Sequence, residues 1–190
     1  MIDLPRITLA SGSPRRVEIL ESVGWPFERQ AADIDECEVA GEAPEDYVVR
    51  LAREKALVVA EMRLGEVVLG ADTTVVVDGR ILGKPTGLDD AKRMLRELSG
   101  RSHFVLTGIA VAADGRVETA LERTRVDFRE MNEDEIEFLA EKGDPLDKAG
   151  AYAVQAQAAL FISGIDGDYW NVVGLPIGLV YRLIMKKPGV

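Results

Sequence analysis

The stretch PEDYVVRLAREKALVVAEMRLGEVVLGADTTVVVDGRIL, residues 44–82, constrains the fold more than any other. Its first half places Val48, Leu51, Ala52, position 55, Ala56 and Val59 at i, i+3, i+4, i+7, i+8 and i+11, one face of a helix. Pro44 suits the first turn of that helix. The second half changes period. A run of Val, Leu and Thr ends at Asp78-Gly79, the strongest short signal for a two-residue hairpin turn.

The rest of the chain repeats this alternation of helix and strand. ITLAS reads as a strand feeding a helix that Ser13 caps and Pro14 opens, with Val17, Leu20 and Val23 on one face and Gly24 as its stop. LDDAKRMLRELSG is a helix begun by aspartates and closed by Gly100. SHFVLTGIAVAA and RVETALERTRVDF are strands joined by Asp114-Gly115. NEDEIEFLAEKG opens on Asn132 with Glu135 three residues on, a capping-box pattern. A loop, DPLDKAGAYAVQ, then leads to a strand, AALFISGI, and a last helix within PIGLVYRLIMKK. Strands that alternate with helices, and some hairpins, predict an α/β class with a mixed sheet. A length of 190 residues fits one domain, 1–190.

The charge balance narrows the function. Thirty-three acids against 23 bases leave a net charge of −10, which repels a phosphate backbone, so nucleic-acid binding is not expected. No apolar run approaches a membrane span and no signal peptide is expected at the start. The one cysteine, Cys37, forms no internal disulfide and suits a reducing cytoplasm. With one cysteine and one histidine, a metal here is expected to be a hard ion held by carboxylates and substrate oxygens, Mg or Mn.

Several polar residues break the pattern of their own element. Lys55 occupies position i+7 of the apolar helix stripe, where it either snorkels past the core or serves a site. Asp72 interrupts VVLGADTTVVV; it either caps a turn between two short strands or is a carboxylate held at a strand end. The acids of DIDE, residues 33–36, and Lys84 in GKP read as solvated loop or as parts of the same site. Arg15 and Arg16 sit in the first turn of a helix, where the macrodipole is positive and anions are favoured. A helix start of this kind, with Ser13, Arg15 and Arg16, is a phosphate site. Cations for phosphates and carboxylates for a metal and a water, Glu36 and Asp72 among them, make a site for phosphoanhydride cleavage. Other chemistries lack their parts. His103 lies in a strand with no nucleophile elbow nearby, and neither G-x-x-x-x-G-K-[ST] nor G-x-G-x-x-G is present.

The segments LASGSPRRVEIL, RLAREKA, VLGADTTVVVDGRILGKP, LSGRSHFVLTG, DPLDKAGAYAVQ and IDGDYWNVVGLPI, in this order over residues 7–177, resemble the Maf family of nucleoside triphosphate pyrophosphatases. The resemblance implies a long twisted mixed sheet with flanking helices, two lobes around a cleft as in inosine triphosphatase-like folds, and often a homodimer. It implies hydrolysis between the α and β phosphates with a divalent metal, releasing a nucleoside monophosphate and pyrophosphate. Arg15, Glu36, Lys55, Asp72 and Lys84 fall on the family's catalytic cluster, with Asp72 at the place of the proton acceptor. The branch that hydrolyses dTTP and UTP has arginine after SP, threonine after GAD and glutamine in AYxxQ, here Arg15, Thr73 and Gln155. The branch that acts on 7-methyl-GTP tends to glutamine and glutamate at the second and third places, with histidine-cysteine where this chain has Asp147-Lys148. Glycine usually follows the glutamine of AYxxQ, and this chain has Ala156. The family's older name refers to septum formation, so a nucleotide-binding regulator of cell division is the alternative to an enzyme. A pure binder needs no base, and an aspartate in an apolar strand favours the enzyme.

Overall fold

The computed structural model describes residues 2–186, so residues 1 and 187–190 of the expected domain lie outside the described residues. The strands are β1 (Ile7–Leu9), β2 (Phe27–Arg29), β3 (Val68–Val77), β4 (Arg80–Leu82), β5 (Ser102–Ala113), β6 (Arg116–Phe128) and β7 (Ile162–Asp166). They form one sheet in the order β2-β1-β3-β5-β6-β7, with β4 on β3. β1 runs parallel to β2 and β3, whereas β3–β4 and β6–β7 are antiparallel, so the sheet is mixed as expected. The helices are α1 (Pro14–Ser22), α2 (Pro44–Met62), α3 (Leu88–Leu98), α4 (Glu133–Lys142), α5 (Tyr169–Val173) and α6 (Ile177–Met185). Contacts group the chain into two compact units, one made of the residues up to Asp72, Thr107–Glu122 and the segment from Gly174 on, the other of Thr73–Leu106 and Arg123–Val173.

In the first unit, α2 buries Val48, Leu51, Ala52, Lys55, Ala56 and Val59, the whole of the stripe read from the sequence. Two glycines admit that face. A Cβ on Gly70 of β3 would stand 2.1 Å from the Ala52 carbonyl oxygen, and one on Gly108 of β5 would stand 2.2 Å from that of Val48. Helix and strands therefore meet closer than side chains allow. Trp25 is buried here; its Nε1 donates to the Pro5 carbonyl (2.9 Å) and its ring meets Tyr181 edge-on.

The second unit holds α3, amphipathic with Ala91, Met94, Leu95 and Leu98 buried, and α4, where Asn132 and Glu135 complete the capping box. Its turn at Asp78-Gly79 has both residues at positive φ, +50° and +73°, as a tight hairpin requires. His103 of β5 is a buried strand histidine. Its Nε2 lies 2.7 Å from the Tyr152 hydroxyl and its ring packs edge-on against Phe128 and Tyr152. Trp170 of α5 stays 40% exposed beside Tyr169.

Four expectations change. α1 buries Arg16, Ile19 and Leu20, while Val23 is exposed, so the inward face is rotated from the one through Val17. Asp72 neither ends a strand nor caps a turn: β3 continues through it from Val68 to Val77. The segment AALFISGI is strand only in its second half, because Gln157–Leu160 closes a 3₁₀ turn in which the Phe161 N–H bonds the Ala158 carbonyl. β2 and α5 are additional elements, each of five residues or fewer.

Candidate active site

Lys55 does not snorkel. It is 7% exposed, and its Nζ lies 2.5 Å from Glu36 Oε1 and 2.7 Å from Asp72 Oδ1. The close approach at Gly70 explains the meeting. α2 lies against β3 at Ala52 and Ala56, and one turn of helix carries Lys55 to the level of Asp72. Asp72 is 8% exposed, and loss of water pushes its carboxyl above the ordinary aspartate value. Lys55 and Arg16 oppose that rise, and the Glu36 charge adds to it.

Glu36 itself is exposed, on a segment without secondary structure, and α2 fastens it there. The Tyr47 hydroxyl donates to the Glu36 carbonyl (3.0 Å). Burial and the charges of Asp72 and Glu36 push that hydroxyl up to about 12, which keeps it a donor. Arg50 forks onto both oxygens of Glu42 (2.7 Å each) and reaches the Cys37 carbonyl (3.1 Å), pulling the Glu42 carboxyl below its usual value. Tyr47 and Arg50 went unmarked in the sequence because both sit on the polar side of an ordinary amphipathic helix.

The loop before α1 is built around Arg16. That side chain is buried, its Nε donating to the Gly174 carbonyl and its Nη1 to Ser11 Oγ, both at 2.9 Å. Ser11 Oγ also accepts from the Ser13 N–H (3.2 Å). Arg29, from β2, donates to the Ser11 carbonyl (3.2 Å) and the Gly12 carbonyl (2.5 Å). Ser13 holds the cap position with extended backbone, yet its hydroxyl makes no capping bond. Thus Arg16 and Arg29 hold the loop, and Arg15, in the first turn of α1, is half-buried.

Thr73, Lys84 and Gln155 belong to the second unit. Thr73 is half-buried beside Asp72; Lys84 and Gln155 are exposed, and so is Ala156. The Gly150 N–H bonds the Gly83 carbonyl (3.1 Å), tying the loop of Lys84 to the turn Ala149–Ala151, where Gly150 and Ala151 both have positive φ. Lys148 is buried before that turn, on Asp147 (2.5 Å) and on the side chain (3.1 Å) and carbonyl of Asp144. Its signal in the sequence was a lysine with aspartates four and one residues before it.

Glu36 and Asp72 face each other across one cation, and carboxylate oxygens of this kind suit a hard divalent ion whose other ligands are phosphate oxygens and water. Among the described residues no three His, Cys, Asp or Glu side chains gather as a possible ion site. Chemically, the first unit offers a buried carboxylate as base, a second carboxylate beside it, and a helix start rich in cations.

The family model described as Maf-like protein matches residues 6–187. A dTTP/UTP pyrophosphatase of Bacillus cereus (strain B4264) is 48% identical over 177 residues, 93% of each chain. One of Bacillus cereus (strain G9842) is 46% identical over 179 residues, 94% of each. A solved structure of a HAM1 protein from Coxiella burnetii is similar at a TM-score of 0.45 and 18% identity, over 66% of this chain and 73% of that one. Motif order, the carboxylates paired on Lys55 and a match that spans nearly the whole sequence agree: this chain belongs to the Maf family.

Proposed function

We propose that the chain is a nucleoside triphosphate pyrophosphatase that converts dTTP and UTP to the monophosphate and pyrophosphate. The observation that carries this reading is the buried Asp72 held on Lys55, whose ammonium also binds Glu36. A water oxygen attacks the α-phosphorus, Asp72 takes the water's proton, and the bond to the bridging oxygen breaks, pyrophosphate leaving with the electron pair. Arg15, Lys55 and Lys84 neutralise the charge that grows on the leaving group. Arg16 shapes the loop through Ser11 and Gly174 and adds positive charge behind the phosphates. Ser13 contributes its place at the helix start, where backbone N–H groups face an anion. A Mg or Mn ion on Glu36 and Asp72 would polarise the phosphate oxygens.

Support for the pyrimidine substrates comes from the names of the relatives and from Thr73 and Gln155. A glutamine amide offers both a donor and an acceptor, which suits the O4 and N3–H edge of uracil or thymine. The test is to incubate the purified protein with dTTP, UTP, GTP, ATP and 7-methyl-GTP, with Mg, with Mn and after EDTA treatment, and to identify the products. Monophosphate and pyrophosphate should form from dTTP and UTP well ahead of the others, and only with a divalent ion. Release of orthophosphate, or full activity after metal-free dialysis, would sink the assignment. Binding without turnover would favour the regulatory reading.

A further inference from the structure

Two buried polar side chains of the second unit take no part in the proposed chemistry, His103 and Tyr152. They are bonded to each other, His103 Nε2 and the Tyr152 hydroxyl lying 2.7 Å apart. The Phe128 ring stands edge-on to both, so the pair is set in apolar surroundings. Burial keeps both groups neutral: it pushes the imidazole down to about 4 and the phenol above its ordinary value. A leucine and a phenylalanine would fill the same space with no polar group to desolvate. A hydrogen bond instead fixes a distance and a direction, and it does so although His103 Nδ1 has no partner among the described residues.

The strained part of the chain lies just before Tyr152. Gly150 and Ala151 have φ of +68° and +63°, and Ala151 is fully buried. A left-handed alanine persists only where its surroundings over-determine it. The Gly150 N–H bonds the Gly83 carbonyl (3.1 Å), next to Lys84. A Cβ on Gly150 would stand 2.8 Å from Val75 of β3, so the turn lies directly on that side chain. Val75 shares its strand face with Thr73, two residues before it. After Tyr152, Ala153 and Val154 are buried, and the Ala156 N–H closes a turn on the Ala153 carbonyl (3.1 Å) with the exposed Gln155 near its tip. Three residues of chain span at most about 11 Å, so the anchor at Tyr152 governs where Gln155 stands.

We propose that His103 and Tyr152 are positioning residues for nucleotide recognition: their hydrogen bond holds the turn at Gly150 and Ala151, and the turn holds the loop of Lys84 on one side and the tip with Gln155 on the other. This rests on the pyrophosphatase reading, in which Lys84 meets phosphate and Thr73 and Gln155 read the base. Without the bond both rings stay packed, but nothing fixes the angle of the tyrosine. Ala151 then relaxes from its left-handed backbone and the Gly150 N–H turns away from Gly83. The loss falls on substrate affinity and base choice rather than on the fold.

Tyr152→Phe removes one oxygen and keeps the ring, so it separates the bond from the packing. The variant should keep its circular dichroism and a melting temperature within about 5 °C of the unaltered chain. KM for dTTP should rise about fivefold or more, and the preference for dTTP over GTP in kcat/KM should shrink by a similar factor. A purely structural loss would lower only the active fraction, so kcat would fall equally for both substrates while KM and preference stayed put. His103→Leu should show the same change, and the double variant no more than the larger single one, because both delete one bond. Equilibrium binding of the α,β-imido analogue of dTTP, which resists cleavage, should weaken by the same factor. An unaltered chain that binds this analogue but does not cleave dTTP would sink the pyrophosphatase reading, and the affinities would still decide the positioning role. A folded Tyr152→Phe with unchanged affinity and preference, or single effects that multiply in the double variant, would overturn that role. So would a Tyr152→Phe that fails to fold, since the bond would then hold the fold rather than the site.

Discussion

At Asp72 two rules of local structure collide. An aspartate is a poor strand residue, and the sequence suggested that the strand stops for it. The strand does not stop, because a lysine 17 positions earlier neutralises the buried carboxylate at 2.7 Å. Local pattern registers each exception, Lys55 in its helix and Asp72 in its strand, but not the bond between them. That bond depends on how helix and sheet pack. Asp72→Asn keeps the shape and removes the proton acceptor, so kcat should fall on the order of 100-fold or more while the fold survives. Near-native turnover would move the base to Glu36. Burial raises the Asp72 carboxyl, so in the native protein kcat/KM should fall with decreasing pH at a value above the ordinary aspartate range. Arg16 shows the converse. The sequence marks it as an odd cation at a helix start, and its partners, the Gly174 carbonyl and Ser11 hydroxyl, become visible only in three dimensions.

Elements with strong internal patterning were legible almost to the residue. α2, β5 and β6 span the segments read for them: α2 keeps one helical stripe from Val48 to Val59, and β5 and β6 are long runs joined by the turn at Asp114-Gly115. The short elements were not. β2 is three residues, FER, with no apolar alternation, and it is a strand because β1 pairs with it in parallel. Gln157–Leu160 contains two alanines and an exposed Leu160, so nothing local holds it extended. The elements on either side of the Lys55 site depend on Gly70. Gly70→Ala would drive a methyl to 2.1 Å from the Ala52 carbonyl, which backbone cannot relieve cheaply. We expect a loss of about 1–3 kcal/mol or more of stability, together with lower activity as α2 withdraws Lys55 from Asp72. Urea unfolding of the two proteins measures it, and an equal midpoint would show that α2 shifts without strain.

For the molecule as a whole, the buried His103 links stability to pH. An unfolded histidine titrates near 6.5, while burial in β5 pushes His103 down to about 4. Between those values the unfolded chain binds a proton that the folded chain refuses. Stability present above pH 6.5 is therefore lost as the pH falls, levelling off below about 4, for a total of about 3 kcal/mol. The Nδ1 atom finds no hydrogen-bond partner among the described residues, so a protonated ring would bury a second donor unpaired. Comparing urea stability at pH 7.5 and 4.5 for the native chain and for His103→Leu isolates this contribution, and equal slopes in the two would refute it.

The two tryptophans draw a further consequence from the division of the chain. Trp25 lies in the first unit, buried and bonded to Pro5; Trp170 lies in the second, 40% exposed. Each unit thus carries its own fluorophore, one emitting from an apolar setting and open to no quencher, the other bathed in solvent. A dissolved ion such as iodide would silence the second unit's light and leave the first unit's, so a single spectrum reports on the halves of the molecule separately without any label.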